Sequence, residues 1–109
     1  MSVSVVFLRS AEIDLKELKS DIVKNLGKKI WQADYRKIQE VVGTLQTSPL
    51  QGKMPEELGR LNLTRYRQVI SGMNRIIYEV RQETIYIHVV CDTRKDMKSL
   101  VAKRLLRII

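Results

Sequence analysis

Cysteine, histidine and proline are nearly missing from this chain: its 109 residues include one Cys, one His and two Pro. Cys91 has no second cysteine to bridge with, so an internal disulfide is excluded and a reducing compartment, the cytoplasm, is the expected location. No group of His, Cys and carboxylates has metal-ligand spacing, and no glycine-rich phosphate loop occurs, so no metal or other cofactor is expected. Aromatic residues make up only 6% of the chain, which leaves the core mostly aliphatic. The amino-terminal apolar run, Ser2 to Leu8, is too short to cross a bilayer and lacks a signal peptide's basic flank and small-residue cleavage site. Neither a membrane role nor export is expected.

What is present is a globular composition, 44% hydrophobic, carrying a net charge of +8. The length suits a single domain, 1–109, that buries roughly two thirds of its unfolded surface. Excess positive charge implies an acidic partner: nucleic acid, an anionic membrane surface or an acidic protein segment. A basic surface kept for solubility alone is the plainer reading. The cations are spread over most of the chain, which argues against one nucleic-acid stripe.

Val3, Val5 and Phe7 alternate with Ser4, Val6 and Leu8, the pattern of a buried opening strand. Ser10 then stands as an N-cap, with Glu12 and Asp14 in the first turn of a helix. Leu15, Leu18, Ile22 and Leu26 recur at helical spacing until Gly27 ends the run. Ile30, Ile38, Val41, Val42 and Leu45 mark a second amphipathic helix reaching about Thr47, so the two form an antiparallel hairpin. Ser48 to Gly59, with two prolines and two glycines, reads as a loop.

From Arg65 onward, runs rich in β-branched and aromatic residues separated by turn signals predict a three-stranded antiparallel meander. Gln82-Glu83 is its second turn, pairing Ile76, Tyr78 and Val80 with Val89, Ile87 and Ile85 on the core face, whose parity Cys91 shares. The first turn decides where the arginines point. A three-residue loop, Ser71-Gly72-Met73, puts Tyr66 inside with Tyr78 and leaves Arg65, Arg67, Val69, Arg75, Ile77, Tyr86 and His88 on the opposite face. Beyond Asp96, Met97, Leu100, Val101 and Leu105 form the apolar stripe of a last helix. The expected fold is therefore α+β, in the order β-α-α-β-β-β-α.

That order, together with Ala11, Asp14-Leu15, Pro49 with Gly52, Glu57-Leu58, Tyr66-Arg67 and Arg75-Ile76-Ile77-Tyr78-Glu79-Val80, resembles the RelE/ParE superfamily of bacterial toxin–antitoxin toxins. The ending Arg94-Lys95-Asp96, followed by a terminal helix closing on Lys103-Arg104-Leu105-Leu106-Arg107, is most similar to the ParE branch. That resemblance implies a growth-arresting toxin that poisons DNA gyrase by binding and is neutralised in a hetero-oligomer by a ParD-like antitoxin with an acidic tail. The RelE branch would imply a ribosome-dependent mRNA endonuclease instead. An inactive module that binds antitoxin or nucleic acid is the third reading.

Under the ParE reading the target-binding residues are Arg65, Arg67, Arg75, Arg94, Lys95, Lys98, Arg104 and Arg107, and no residue is catalytic. Arg67 and Arg75, with Trp31 and Tyr35, are the candidate antitoxin contacts, although the two aromatics also suit packing against the first helix. The meander arginines equally suit a solvated face or partners of Glu79. Cutting RNA through its 2′-hydroxyl requires a proton acceptor, a proton donor and positive charge at the phosphate. Arg67, Arg75, Tyr86, His88 and Arg94 are the residues that would form such a nuclease site. Two departures from the RelE-like pattern weigh against it: Val69 stands where many such nucleases carry an arginine, and Cys91 where several carry a histidine.

Overall fold

A computed structural model describes residues 3–59 and 65–93. Its elements are β1 (Ser4–Phe7), α1 (Arg9–Leu26), α2 (Lys28–Thr47), a one-turn helix α3 (Glu56–Gly59), β2 (Tyr66–Ser71), β3 (Asn74–Arg81) and β4 (Thr84–Asp92). The expected α+β order holds through the meander, with α3 added inside the stretch expected to be loop. The last helix expected from Met97 onward lies outside the described residues.

The strands form one sheet in the order β1-β4-β3-β2. β3 runs antiparallel to both of its neighbours, whereas β1 lies parallel to β4, with Val5 opposite Ile85 and Phe7 opposite Ile87. β1 is therefore an edge strand, half-buried rather than fully buried. β4 outruns it, and beyond the Phe7–Ile87 pair α1 meets backbone groups of β4 that β1 no longer reaches. The Ser10 hydroxyl donates to the His88 carbonyl at 3.1 Å, and the Asp14 carboxylate accepts from the Val90 N–H at 3.0 Å. Ser10 is thus not the N-cap; the helix begins two residues earlier, at Arg9, with Leu8 in that position. A hydroxyl that can satisfy a sheet carbonyl is committed to tertiary rather than local bonding.

One residue joins the helices. Gly27 has φ 96°, a conformation that side-chain-bearing residues avoid, and its N–H donates to the carbonyls of Ile22 and Val23. The hairpin lays Ala11, Ile38, Val42 and Leu45 onto Ile76, Tyr78, Ile85, Ile87 and Val90, and this is the core. Leu26 and Ile30, both on the periodic apolar stripes, are instead 64% and 49% exposed.

Two details of register depart from the sequence expectation. Ser71 pairs with Asn74, so the first turn is the two-residue loop Gly72-Met73, with Gly72 at φ 60°. Glycine at the first position of a two-residue hairpin loop matches the twist of the strands. Arg67 consequently lies opposite Tyr78 and Val69 opposite Ile76, on the helix side, while Tyr66 lies opposite Glu79 on the far face. The basic face is therefore corrected: Arg67 and Val69 leave it and Tyr66 joins it. The second departure is a register shift between Ile77 and Tyr78, which sets Ile77 opposite Val89 but Tyr78 opposite Ile87, with His88 as the extra residue. Ile76 then faces Val90 rather than Val89, and Cys91 lies opposite Arg75, off the core parity though still buried.

Arg67 can occupy a core-side position because β2 is the sheet's edge. Its guanidinium donates to the carbonyls of Leu50 at 3.0 Å and Gly52 at 2.8 Å, within the loop that follows α2. Tyr78 ties down the same loop from inside, its hydroxyl donating to the Pro49 carbonyl at 2.8 Å and accepting from the Gly52 N–H at 2.9 Å. A Cβ on Gly52 would stand 2.6 Å from the Gln68 carbonyl oxygen and from the Tyr78 hydroxyl, so no larger residue fits there without displacing the strand. Tyr78→Phe leaves the Gly52 N–H without its acceptor and should cost about 1–2 kcal/mol. Gly52→Ala should cost about 1–3 kcal/mol through overpacking. Urea unfolding of both variants checks the pair, and a neutral Tyr78→Phe would show the loop to be held by other contacts.

Candidate functional site

The far face of the sheet is built around one buried carboxylate. Glu79, on β3, has a side chain 5% exposed, and three cationic or ionisable groups converge on it. His88 Nε2 lies 3.0 Å from Oε1, Arg81 Nε lies 3.1 Å from Oε2, and Arg65 Nε lies 3.5 Å from Oε2. Register explains the meeting. Tyr66 is opposite Glu79, Glu79 is opposite Tyr86, and the bulge puts His88 beside them. The rings complete the arrangement: Tyr66 meets His88 edge-on at 5.0 Å between centroids, Arg65 lies over Tyr66 at 5.1 Å, and Arg81 lies over Tyr86 at 4.8 Å.

Burial by itself would raise the Glu79 pKa, but hydrogen bonds from His88 and Arg81 and their charge outweigh it and hold the carboxyl below its ordinary value. An ionised carboxylate can only accept, so His88 donates through Nε2–H and its Nδ1 is bare. Nδ1 is buried and meets no hydrogen-bond partner. Burial pushes the His88 pKa down, against the pull of Glu79 in the opposite direction. His88 is thus a neutral, inward-turned imidazole, 1% exposed, with neither nitrogen open to a substrate.

The structure brings together only part of the residue set expected from the sequence. Arg65, Tyr86 and His88 do gather, through Glu79 and Arg81. Arg75 stands on the same face with its Nε donating to the Gln68 side chain at 2.7 Å. Arg67 does not join them. Trp31 is buried and stacks on the partly exposed Tyr35 at 5.3 Å, and Tyr35 lines a crevice between α2 and β1 well away from the arginines in the fold. Arg94, Lys95, Lys98, Arg104 and Arg107 lie outside the described residues. Arg81 was missed by the sequence reading; its place at the hairpin end, two residues after Glu79 on the same strand face, was the available signal. Among the described residues no group of three or more His, Cys, Asp or Glu could hold a metal ion. No described helix is long and apolar enough to cross a membrane.

A four-stranded sheet with a helical hairpin on one face is a fold shared with solved toxin–antitoxin structures. Over 84% of its length the chain superposes on 96% of a chain from the chromosomal ParDE toxin–antitoxin system of P. aeruginosa, with a TM-score of 0.69 at 19% identity. It also matches 99% of a chain from the RelBE2 toxin–antitoxin complex of Mycobacterium tuberculosis, again over 84% of its own length, with a TM-score of 0.58 at 21% identity. At these identities the likeness is one of fold. Among curated proteins no sequence matches. Residues 5–97 match the family described as the ParE toxin of the type II toxin–antitoxin system parDE, and the chain belongs to that family. It is a type II toxin of the ParE/RelE superfamily.

The depressed His88 pKa makes stability depend on pH in a defined direction. In the unfolded chain the imidazole protonates near its ordinary value of 6.5, whereas in the native state it resists protonation. Below that value the unfolded state binds a proton that the native state does not, so stability is complete above 6.5 and declines as pH falls towards the native value. Glu79 acts in a lower window, its contribution fading only as pH falls below 4.5. Denaturant midpoints measured from neutral to mildly acidic pH should show the first decline, and His88→Gln should flatten it. Glu79→Gln should cost about 2 kcal/mol at neutral pH, since charged hydrogen bonds are lost.

Proposed function

We propose that this toxin acts by binding, with DNA gyrase as its target, and that an antitoxin encoded beside it neutralises it. The observation that carries the choice of binding over cleavage is the burial of His88, the chain's one histidine, against Glu79. Ribonuclease chemistry needs a proton acceptor within reach of the 2′-hydroxyl. An imidazole with one nitrogen on a carboxylate and the other enclosed does not offer one. The family match supports the ParE side of the superfamily, and gyrase is the target that the resemblance to that branch implies.

Target contact falls to cations that the fold leaves outward. Arg65 and Arg81 keep more than half of their side-chain surface exposed while holding Glu79, and Arg75 is partly exposed on the same face. Together with Arg94, Lys95, Lys98, Arg104 and Arg107 they make up the proposed target-binding set. An acidic antitoxin segment would meet the same arginines, so neutralisation would work in part by occupying them. Arg67 contributes indirectly, by fixing the loop at Leu50 and Gly52.

Purified protein should inhibit gyrase supercoiling and accumulate cleaved DNA, and induced expression should provoke a DNA damage response. Ribosome-dependent mRNA cutting without gyrase inhibition would move the chain to the RelE branch, and salt-dependent binding without growth arrest would leave it as an inactive module. Arg65→Ala with Arg75→Ala should weaken antitoxin binding about tenfold at low salt and less at high salt. Calorimetric titration measures this, and unchanged affinity together with unchanged toxicity would remove the basic face from the mechanism.

A further inference from the structure

Positive charge spread along the chain is gathered by folding into a second surface, away from the arginines. Lys16, Lys19 and Lys24 from α1 and Lys28 from the start of α2 surround a shallow hollow of about 390 Å³, with Ser20 and Val23 between them. All four lysines are exposed, and none forms an ion pair among the described residues. α1 sorts its charges by side. Asp14, Glu17 and Asp21 line a different hollow, next to the ends of β3 and β4, so no carboxylate stands among the described residues lining this one. The arginines ring Glu79 on the sheet face that the hairpin does not cover, so the sheet and the core separate the two cationic surfaces.

Two features leave this surface in want of an anion. Lysines about one helical turn apart repel, and a negative charge laid across them relieves the repulsion. The first turn of α2 adds to the field. Gly27 supplies no side-chain cap, Lys28 and Lys29 occupy the turn and no acidic residue does, whereas helix starts ordinarily favour carboxylates. The positive end of the α2 dipole is thus reinforced by its own chain rather than neutralised.

We infer that this lysine surface holds the sugar–phosphate backbone of duplex DNA without regard to sequence. From Lys16 to Lys24 the helix rises about 12 Å, a distance over which a duplex presents about seven phosphate charges on its two strands. An ammonium on a long stem is a point charge that follows phosphates, and the described lining residues include no planar, bidentate donor to read a base edge. A membrane is a poorer match, because Val23 is the one aliphatic side chain among those residues and no aromatic accompanies it. An acidic peptide would want apolar anchors or a strand edge, and the hollow offers neither. The inference does not depend on the gyrase reading. It gives the protein a hold on DNA that leaves the arginine face free for another partner.

The test is fluorescence anisotropy of a short labelled duplex of arbitrary sequence, titrated with the full chain over a range of salt. The triple variant Lys16→Gln, Lys19→Gln and Lys24→Gln, checked for unchanged circular dichroism, should bind at least about tenfold more weakly at low salt. It should also lower the slope of log affinity against log salt by about 2.7. Arginine at the same three positions should keep both affinity and slope. An unmodified chain that does not bind the duplex, or an unchanged slope in the glutamine variant, would overturn the proposal. So would a loss confined to Arg65→Ala with Arg75→Ala, which would put DNA on the arginine face, or binding to phosphatidylserine vesicles in place of DNA. The titration contains no gyrase, so failure to inhibit gyrase with this DNA binding intact would remove the target reading alone.

Discussion

A carboxylate taken out of water must be compensated, and the far face of this protein is arranged around that need at Glu79. An isolated ionised carboxylate is costly to bury, and the cost falls when hydrogen bonds and opposite charges surround it. Here an imidazole supplies one bond and two arginines supply charge from the exposed rim. Each partner depends on a different piece of register: Arg65 on the start of β2, Arg81 on the end of β3, and His88 on the bulge in β4. The same bulge returns Val90 to the core, so the polar cluster and the aliphatic core are set by one irregularity.

Under the binding proposal, positive charge in the meander serves two purposes at once. Arg65 and Arg81 hold Glu79 with their inner edges and remain more than half exposed, which fits groups that support the fold while meeting an anionic partner. Arg67 is a different case, because two loop carbonyls hold its guanidinium. Histidine, the residue type with the greatest scope for acid–base chemistry near neutral pH, is used here as a buried donor. That allocation is the basis for proposing a toxin that binds over one that cuts RNA.

Much of the fold was legible along the chain because its signals are local. The apolar periods of α1 and α2, Gly27 at their joint and the Gln82-Glu83 turn are where the sequence reading puts them. What was illegible depends on partners distant in sequence. Ser10 and Asp14 look like residues of a helix start, yet they bond to β4 because the helix begins where β1 stops pairing. Gly72-Met73 and Ser71-Gly72-Met73 are both plausible turns by composition, and choosing between them reversed the faces of Tyr66 and Arg67. The grouping of Asp14, Glu17, Asp21, Asp34 and Asp92 around one hollow was equally hidden, since these carboxylates come from α1, α2 and β4 and converge only when the elements pack.

The sequence by itself determined the order of the main elements from β1 through the meander, the aliphatic character of the core, the excess of positive charge and the likeness to a toxin superfamily, because propensity, periodicity and composition act over a few residues at a time. Tertiary structure decided which side of the sheet each charge occupies. Side chains alternate along a strand with a period of two, so one inserted residue or a turn shorter by one transfers a whole strand's chemistry to the other face. That choice is made by pairing energy across the sheet, where Glu79, His88 and the arginines meet, and not by any single run of residues.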